Sequence, residues 1–170
     1  MSISTQLVKK LVQIPIFGGL TVGEAAEFFE VAVEDSVARG ATLFREGDEG
    51  DSLVVILEGD VQITRKTVEL SRLGKHNVLG EMSLVSEGEV RSATATALTD
   101  VKVLRIPCKR VQKMIKANNV AALKVVVNLA QVMSKRLAAI SDRFAAASGG
   151  GSKKREELAD FGRILTTWQF

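Results

Sequence analysis

Val78-Leu79-Gly80-Glu81-Met82-Ser83-Leu84-Val85-Ser86-Glu87-Gly88-Glu89-Val90-Arg91-Ser92-Ala93-Thr94 is the stretch from which the rest of the chain can be read. Gly80 has no Cβ, so the chain can turn sharply there and bring its backbone against a ligand. Glu81 follows at once, and an ionised carboxylate, which only accepts hydrogen bonds, suits a ribose 2′-hydroxyl that must donate one. Met82-Ser83-Leu84-Val85 fits a short helical turn whose free N–H groups favour an anion, and Ser83 is small enough to leave that approach open. After the loop Glu87-Gly88-Glu89 the chain becomes β-prone over Arg91-Ser92-Ala93-Thr94-Ala95-Thr96, so Arg91 is expected to return toward the turn from an ordered strand. A guanidinium fork grips a phosphodiester in two-pronged geometry.

A second run lies upstream: Phe44-Arg45-Glu46-Gly47-Asp48-Glu49-Gly50-Asp51-Ser52-Leu53-Val54-Val55-Ile56-Leu57-Glu58-Gly59-Asp60-Val61, with glycines at set turns. The two runs together resemble the cyclic nucleotide-binding domain. Gly80-Glu81-x-Ser83-Leu84 followed by Arg91-Ser92-Ala93 resembles its phosphate-binding cassette, most closely that of the bacterial catabolite activators, which share the step from Glu81 to Arg91 and the Arg-Ser-Ala ending. The resemblance implies that Glu81 holds the ribose 2′-hydroxyl and Arg91 the cyclic phosphate. Ser83 N–H and the Ser92 hydroxyl assist, and Gly80 and Met82 complete the set. Val61, Leu79, Ser141 and Trp168 are weaker candidates for ligand contact. The implied ligand is cyclic AMP, with cyclic GMP as the alternative, because Ser92 could contact either purine. Val90 departs from the proline that many members have before the arginine, a change that removes no ligand contact.

Composition is compatible with one binding domain. The chain has 170 residues, 46% of them hydrophobic, enough for one good core with some length to spare. A net charge of +3 and a pI near 9.1 permit binding of an anion but are too weak to imply nucleic acid. Cys108 is the single cysteine, which excludes an internal disulfide, argues against a cysteine-based zinc site and fits a reducing cytosol. No apolar run is long enough to cross a bilayer, and Met-Ser-Ile-Ser-Thr-Gln lacks the layout of a signal peptide. The only histidine, His76, has no evident nucleophile arranged with it, and neither paired carboxylates nor metal-ligand spacing is apparent. An enzyme, a metal and a cofactor other than the nucleotide itself are therefore not expected.

In chain order, Ile3, Leu7, Leu11 and Ile14 predict a short amphipathic helix stopping at Pro15. Thr21-Val22-Gly23-Glu24 fits a capping box that starts a second helix reaching about Glu30 and burying Phe28 or Phe29. From about Val31 to Ile106 the period changes to two. Val31/Val33, Leu53/Val55/Leu57, Val61/Ile63, Ala93/Ala95/Ala97 and Val101/Val103 come in short pieces divided by glycines, which predicts a mainly β core with flanking helices, a sandwich or jelly roll interrupted by the cassette at 78–94. Pro107 then starts a helix with Val111, Met114 and Ile115 on its apolar side, ending near Asn118-Asn119 and closing a nucleotide-binding domain over 1–118.

A long helix is predicted from about Val120 to Ala147, within a segment 119–147. At roughly 40 Å it is too long to be covered by a barrel of this size. Val126, Ala130, Met133, Leu137, Ile140, Phe144 and Ala147 alternate four and three, the seam of a coiled coil, so a homodimer through 120–147 is expected. Ser141 follows Ile140 where the activators place a hydroxyl pair reaching the base across the dimer; here only the serine remains, and an ordinary exposed helix residue is the other reading. Ser148-Gly149-Gly150-Gly151-Ser152 is a flexible hinge (148–152). The segment 153–170 is too short for a helix-turn-helix, so no DNA contact is expected. Leu158, Phe161, Leu165 and Trp168 form an apolar stripe on it: a latch, a permanent dock or a peptide for a partner. The function expected is a stand-alone cyclic-nucleotide sensor signalling through its helices to an unidentified protein effector. The alternatives are a transcription regulator without its DNA-binding half and a ligand-free interaction module.

Overall fold

Eight short strands follow one another between helices at either end of the described chain. The computed structural model describes residues 4–85, 88 and 90–147. Ile3, Glu87, Glu89, the hinge 148–152 and the segment 153–170 with Phe161 and Trp168 lie outside the described residues, as do the side chains of Met82, Ile140, Phe144 and Ala147. In chain order the elements are α1 (Thr5–Leu11), α2 (Val22–Phe29), β1 (Val33–Val37), β2 (Thr42–Phe44), β3 (Ser52–Glu58), β4 (Val61–Arg65), β5 (Val68–Leu73), β6 (Val78–Leu79), α3 (Met82–Val85), β7 (Thr94–Ala97), β8 (Val101–Pro107), α4 (Cys108–Lys116) and α5 (Val120–Ala147). The chain divides into two compact units, residues 1–129 and 130–170.

The strands form two antiparallel four-stranded sheets, β1-β8-β3-β6 and β2-β7-β4-β5, the jelly roll that the short glycine-divided strands predict. Leu43, Val54, Ile56, Val61, Leu79, Ala95, Ala97, Val101 and Val103 fill the space between them. β3 is also buried on its other face, from Ser52 through Ile56 without a break, because α3 and α4 pack against it. That is why its sequence runs apolar instead of alternating. β1 and β5 are edge strands and read differently. Val33 is 61% exposed and Val31 lies in the turn after α2, so the expected Val31/Val33 inward pair does not form.

The N-terminal helices carry no chemistry. α1 stops at Leu11, and Pro15 opens a separate 3-10 turn, Pro15–Phe17, rather than ending the helix. The Thr21 hydroxyl accepts from Glu24 N–H at 3.2 Å and the Glu24 carboxylate accepts from Thr21 N–H at 2.8 Å, so the capping box forms. Phe17, Phe28 and Phe29 are all fully buried with ring centroids 4.8–5.9 Å apart. Pro107 ends β8 and stands just before α4, which closes at Lys116 with Asn118 in the left-handed region.

The start of α5 is tied to the N-terminal helices by side chains. Asn119 accepts from Ala122 N–H at 3.0 Å and donates to Glu27 at 2.6 Å; Lys124 donates to Glu24 at 2.8 Å; Asn128 donates to the carbonyl of Gly18 at 2.7 Å. The hydrogen bond from Lys124, ahead of that from Thr21 N–H, holds the Glu24 carboxyl below its ordinary pKa. Ala121, Ala122, Val125 and Leu129 form the buried stripe on this part of α5, leaving Val120, Leu123 and Val127 exposed. Of the residues expected in the seam, Val126 and Met133 are half-buried and Ala130 and Leu137 are exposed, and Leu123 and Val127 are exposed beside them. Among the described residues no helix is long and apolar enough to cross a membrane.

Candidate functional site

Gly80 follows β6 with φ of +75°, which an L side chain adopts only under strain. A Cβ there would fall far inside contact distance of Arg91 Nη1 and 2.9 Å from the Ser52 carbonyl oxygen. The glycine thus serves both the turn and the close approach of Arg91. In the turn that follows, Ser83 N–H donates to the Gly80 carbonyl at 3.3 Å and Leu84 N–H to that of Glu81 at 3.1 Å. The Ser83 amide is therefore spent on closing the turn. Glu81 is half-buried and Ser83 is buried.

Arg91 does not lie in a strand. β7 begins at Thr94, and a backbone clamp holds Arg91 in the bend before it: its N–H donates to the Asp48 carbonyl at 2.8 Å and its carbonyl accepts from Gly47 N–H at 2.9 Å. The clamp is itself braced by the Asp48 carboxylate, which accepts from Arg45 N–H at 2.7 Å. The turn between β2 and β3 thus fixes where the guanidinium emerges.

Arg91 is 4% exposed, and among the described residues one nitrogen of its guanidinium is engaged. Nη2 donates to the Ser52 carbonyl at 2.9 Å, to Asp51 Oδ1 at 3.1 Å and to Ser52 Oγ at 3.4 Å. Nε and Nη1 are buried and have no hydrogen-bond partner among the described residues. The Phe44 ring lies 4.3 Å from the guanidinium carbon. Burial pulls the pKa of Arg91 below its ordinary value, and the Asp51 carboxylate works against that shift. Asp51 is a wet partner, its side chain 73% exposed. A buried cation with two unspent donor nitrogens, three N–H groups between them, is costly to maintain. Its chemistry is that of a socket for an anion.

The remaining candidates are scattered. Ser92 is exposed one residue beyond Arg91. Val61 and Leu79 are core residues between the sheets, because both point inward from their strands. Ser141 is half-buried on the distal part of α5. Cys108 is buried and burial pushes its thiol up to about 11, so it is a packed thiol and a poor nucleophile at neutral pH. A cavity of about 430 Å³ is lined by Asp51, Ser83, Cys108, Lys109 and Lys113 among others, but by neither Glu81 nor Arg91. Among the described residues no cluster of three or more His, Cys, Asp or Glu could hold a metal.

Sequence reasoning did not pick out Phe44, Asp51 and Ser52 as partners of Arg91, although all three lie in the quoted upstream run. The available signal was that Asp51-Ser52 leads directly into the apolar run of β3.

The model of the cyclic nucleotide-binding domain matches residues 34–118. A CRP-like cAMP-activated global transcriptional regulator of Mycobacterium tuberculosis is 25% identical, over 87% of this chain and 76% of the regulator. The crystal structure of the N-terminal domain of a transcriptional regulator from Streptomyces coelicolor A3(2) is 33% identical with a TM-score of 0.65, covering 74% of this chain and 93% of that one. A cyclic nucleotide-binding domain from Methylobacillus flagellatus, at 22% identity, superposes with a TM-score of 0.75 over 86% of this chain and 87% of its own.

Proposed function

The chain belongs to the cyclic nucleotide-binding domain family, and from that premise we propose that it is a non-catalytic receptor for a cyclic nucleotide, cyclic AMP first and cyclic GMP as the alternative. The observation that carries this reading is the buried Arg91, with Nε and Nη1 unpartnered beside Gly80. A cyclic phosphate supplies the acceptors that the guanidinium lacks. Glu81, next to Gly80, receives the ribose 2′-hydroxyl, and Ser92, exposed beyond Arg91, takes the phosphate or the base. The receptor works in the cytosol and signals by a ligand-dependent rearrangement of α4 and α5 to a protein effector. A second reading, the sensing part of a transcription regulator, is favoured by the similarity to the Mycobacterium tuberculosis protein; DNA binding by the intact gene product separates the two.

Calorimetric titration with cyclic AMP and cyclic GMP is the test, and no heat with either ends the reading. Glu81→Ala is expected to weaken cyclic AMP binding by about 1.5 kcal/mol, roughly tenfold, since it removes one charge-assisted hydrogen bond. The same variant should bind cyclic AMP and its 2′-deoxy analogue equally. Retained discrimination would remove Glu81 from the ribose.

The exposed apolar spacing of Leu123, Val127, Ala130 and Leu137 supports a homodimer through α5. Leu137→Glu brings two like charges together across such a seam and is expected to halve the mass measured by light scattering while leaving the β-sheet circular dichroism intact. A monomer mass for the unaltered chain at micromolar concentration would refute the dimer.

A further inference from the structure

We propose that Phe44 is a positioning residue for the nucleotide site: its ring face holds the Arg91 guanidinium in place as a preoriented cation. The inference rests on the reading of Arg91 as the phosphate-binding group and concerns how that group is kept ready.

Arg91 has unusually little to hold it. Three of its contacts share the single nitrogen Nη2, and the one carboxylate among them, on Asp51, is largely in water. Nε and Nη1 have no partner, so nothing polar fixes the orientation of that side of the group. The Phe44 ring centroid is 4.3 Å from Cζ, inside the roughly 6 Å reach of a cation–π contact, and the guanidinium it faces is buried. A ring face offers a cation negative electrostatic potential without using any of its N–H donors. It is therefore the kind of support that leaves Nε and Nη1 available for an incoming anion.

The backbone fixes the pair. Phe44 ends β2, just past a register shift relative to Thr42, and pairs with Ala95 of β7, the strand into which the Arg91 bend leads. Ring and guanidinium are thus carried by the same strand pair. Without the ring, the guanidinium is free to turn about its Nη2 contacts with Asp51 and Ser52. The fraction of protein competent to take the phosphate then falls, and the apparent dissociation constant rises by the inverse of that fraction.

Phe44→Met keeps an apolar side chain of similar bulk and removes the ring; Phe44→Trp keeps a ring. In the full chain, Phe44→Met is expected to bind cyclic AMP roughly tenfold more weakly, with Phe44→Trp restoring most of the loss. In an Arg91→Gln background, which has no cation for the ring to hold, the methionine change should add nothing to the residual binding measured at high ligand concentration; a merely structural role would add its loss there too. NMR of the Arg91 Nε–H group gives a readout independent of ligand: it should be ring-shifted in the wild type and move toward the free-arginine position in Phe44→Met. If Phe44→Met does not fold, a fluorinated phenylalanine at position 44 preserves shape while draining the ring face, and should produce part of the same shift and part of the same loss. Undiminished affinity in the ring-depleted variants, an additive effect in the Arg91→Gln background, or an unshifted Nε–H signal each overturns the proposal. A wild type that does not bind cyclic nucleotide sinks the receptor reading instead, and the NMR signal still decides whether Phe44 positions Arg91.

Discussion

Arg91→Ala is expected to abolish most cyclic-nucleotide binding, at a cost of about 2 to 5 kcal/mol, with little loss of fold stability. The two halves of that outcome have different causes. Binding suffers because the variant removes the buried cation proposed above to face the phosphate. Stability is spared because the guanidinium is itself poorly satisfied: burial pulls its pKa down, two nitrogens have no partner, and its carboxylate partner Asp51 remains hydrated when left alone. The desolvation that the variant relieves offsets the contacts it removes, and the charge left behind on Asp51 is in water and not buried. Calorimetry and thermal denaturation on the same sample read both quantities. Wild-type affinity in this variant would remove Arg91 from the site.

Gly80→Ala is expected to damage both binding and stability. The left-handed backbone at φ +75° costs an L residue roughly 1–2 kcal/mol. The new methyl group also meets Arg91 Nη1 and the Ser52 carbonyl. A guanidinium can swing away, at the expense of the phosphate site, whereas the Ser52 carbonyl belongs to the central strand β3 and has nowhere to go. Affinity should fall at least tenfold, as expected when a charge-assisted contact is displaced, and the melting temperature by several degrees. In Gly80→Ala/Arg91→Ala the collision with the guanidinium disappears, so part of the stability should return while binding does not. Normal affinity in the single variant would mean that the close approach of turn and guanidinium has no bearing on the ligand.

Much of this architecture is legible in the chain because local chemistry encodes it. The Thr21 capping box, the glycines dividing the strands, the helix after Pro107 and the start of α5 are all set by residues within a few positions of one another. The edge strands are harder to read. Val68–Leu73 is exposed from Val68 through Arg72, the apolar Val68 and Leu70 included, so it lacks the inward apolar alternation that marks a half-buried strand. Gly80, Glu81 and Arg91 stand out because their types are chemically specific. The partners of Arg91 do not, since Asp51 and Ser52 lie 40 and 39 residues away and meet it only once the turn at Arg45–Asp48 is clamped to the bend before β7. The buried stripe of α5 has a similar origin. Helical periodicity gives the spacing of apolar residues, but the packing of Ala121, Ala122, Val125 and Leu129 decides which of them are left facing outward.

The bonds that tie Asn119, Lys124 and Asn128 to Glu27, Glu24 and the Gly18 carbonyl join segments about a hundred residues apart in sequence. Mechanically, they make the first turns of α5 and the N-terminal helical layer a single lever. A torque applied at Asn119 is delivered to α2, and α5 cannot pivot there without carrying α2 or breaking three latches at once. Glu24 sits at the fulcrum, because the carboxylate that caps α2 is the same one that holds Lys124. Any stroke that begins at the root of α5 is thereby written into the opposite end of the polypeptide.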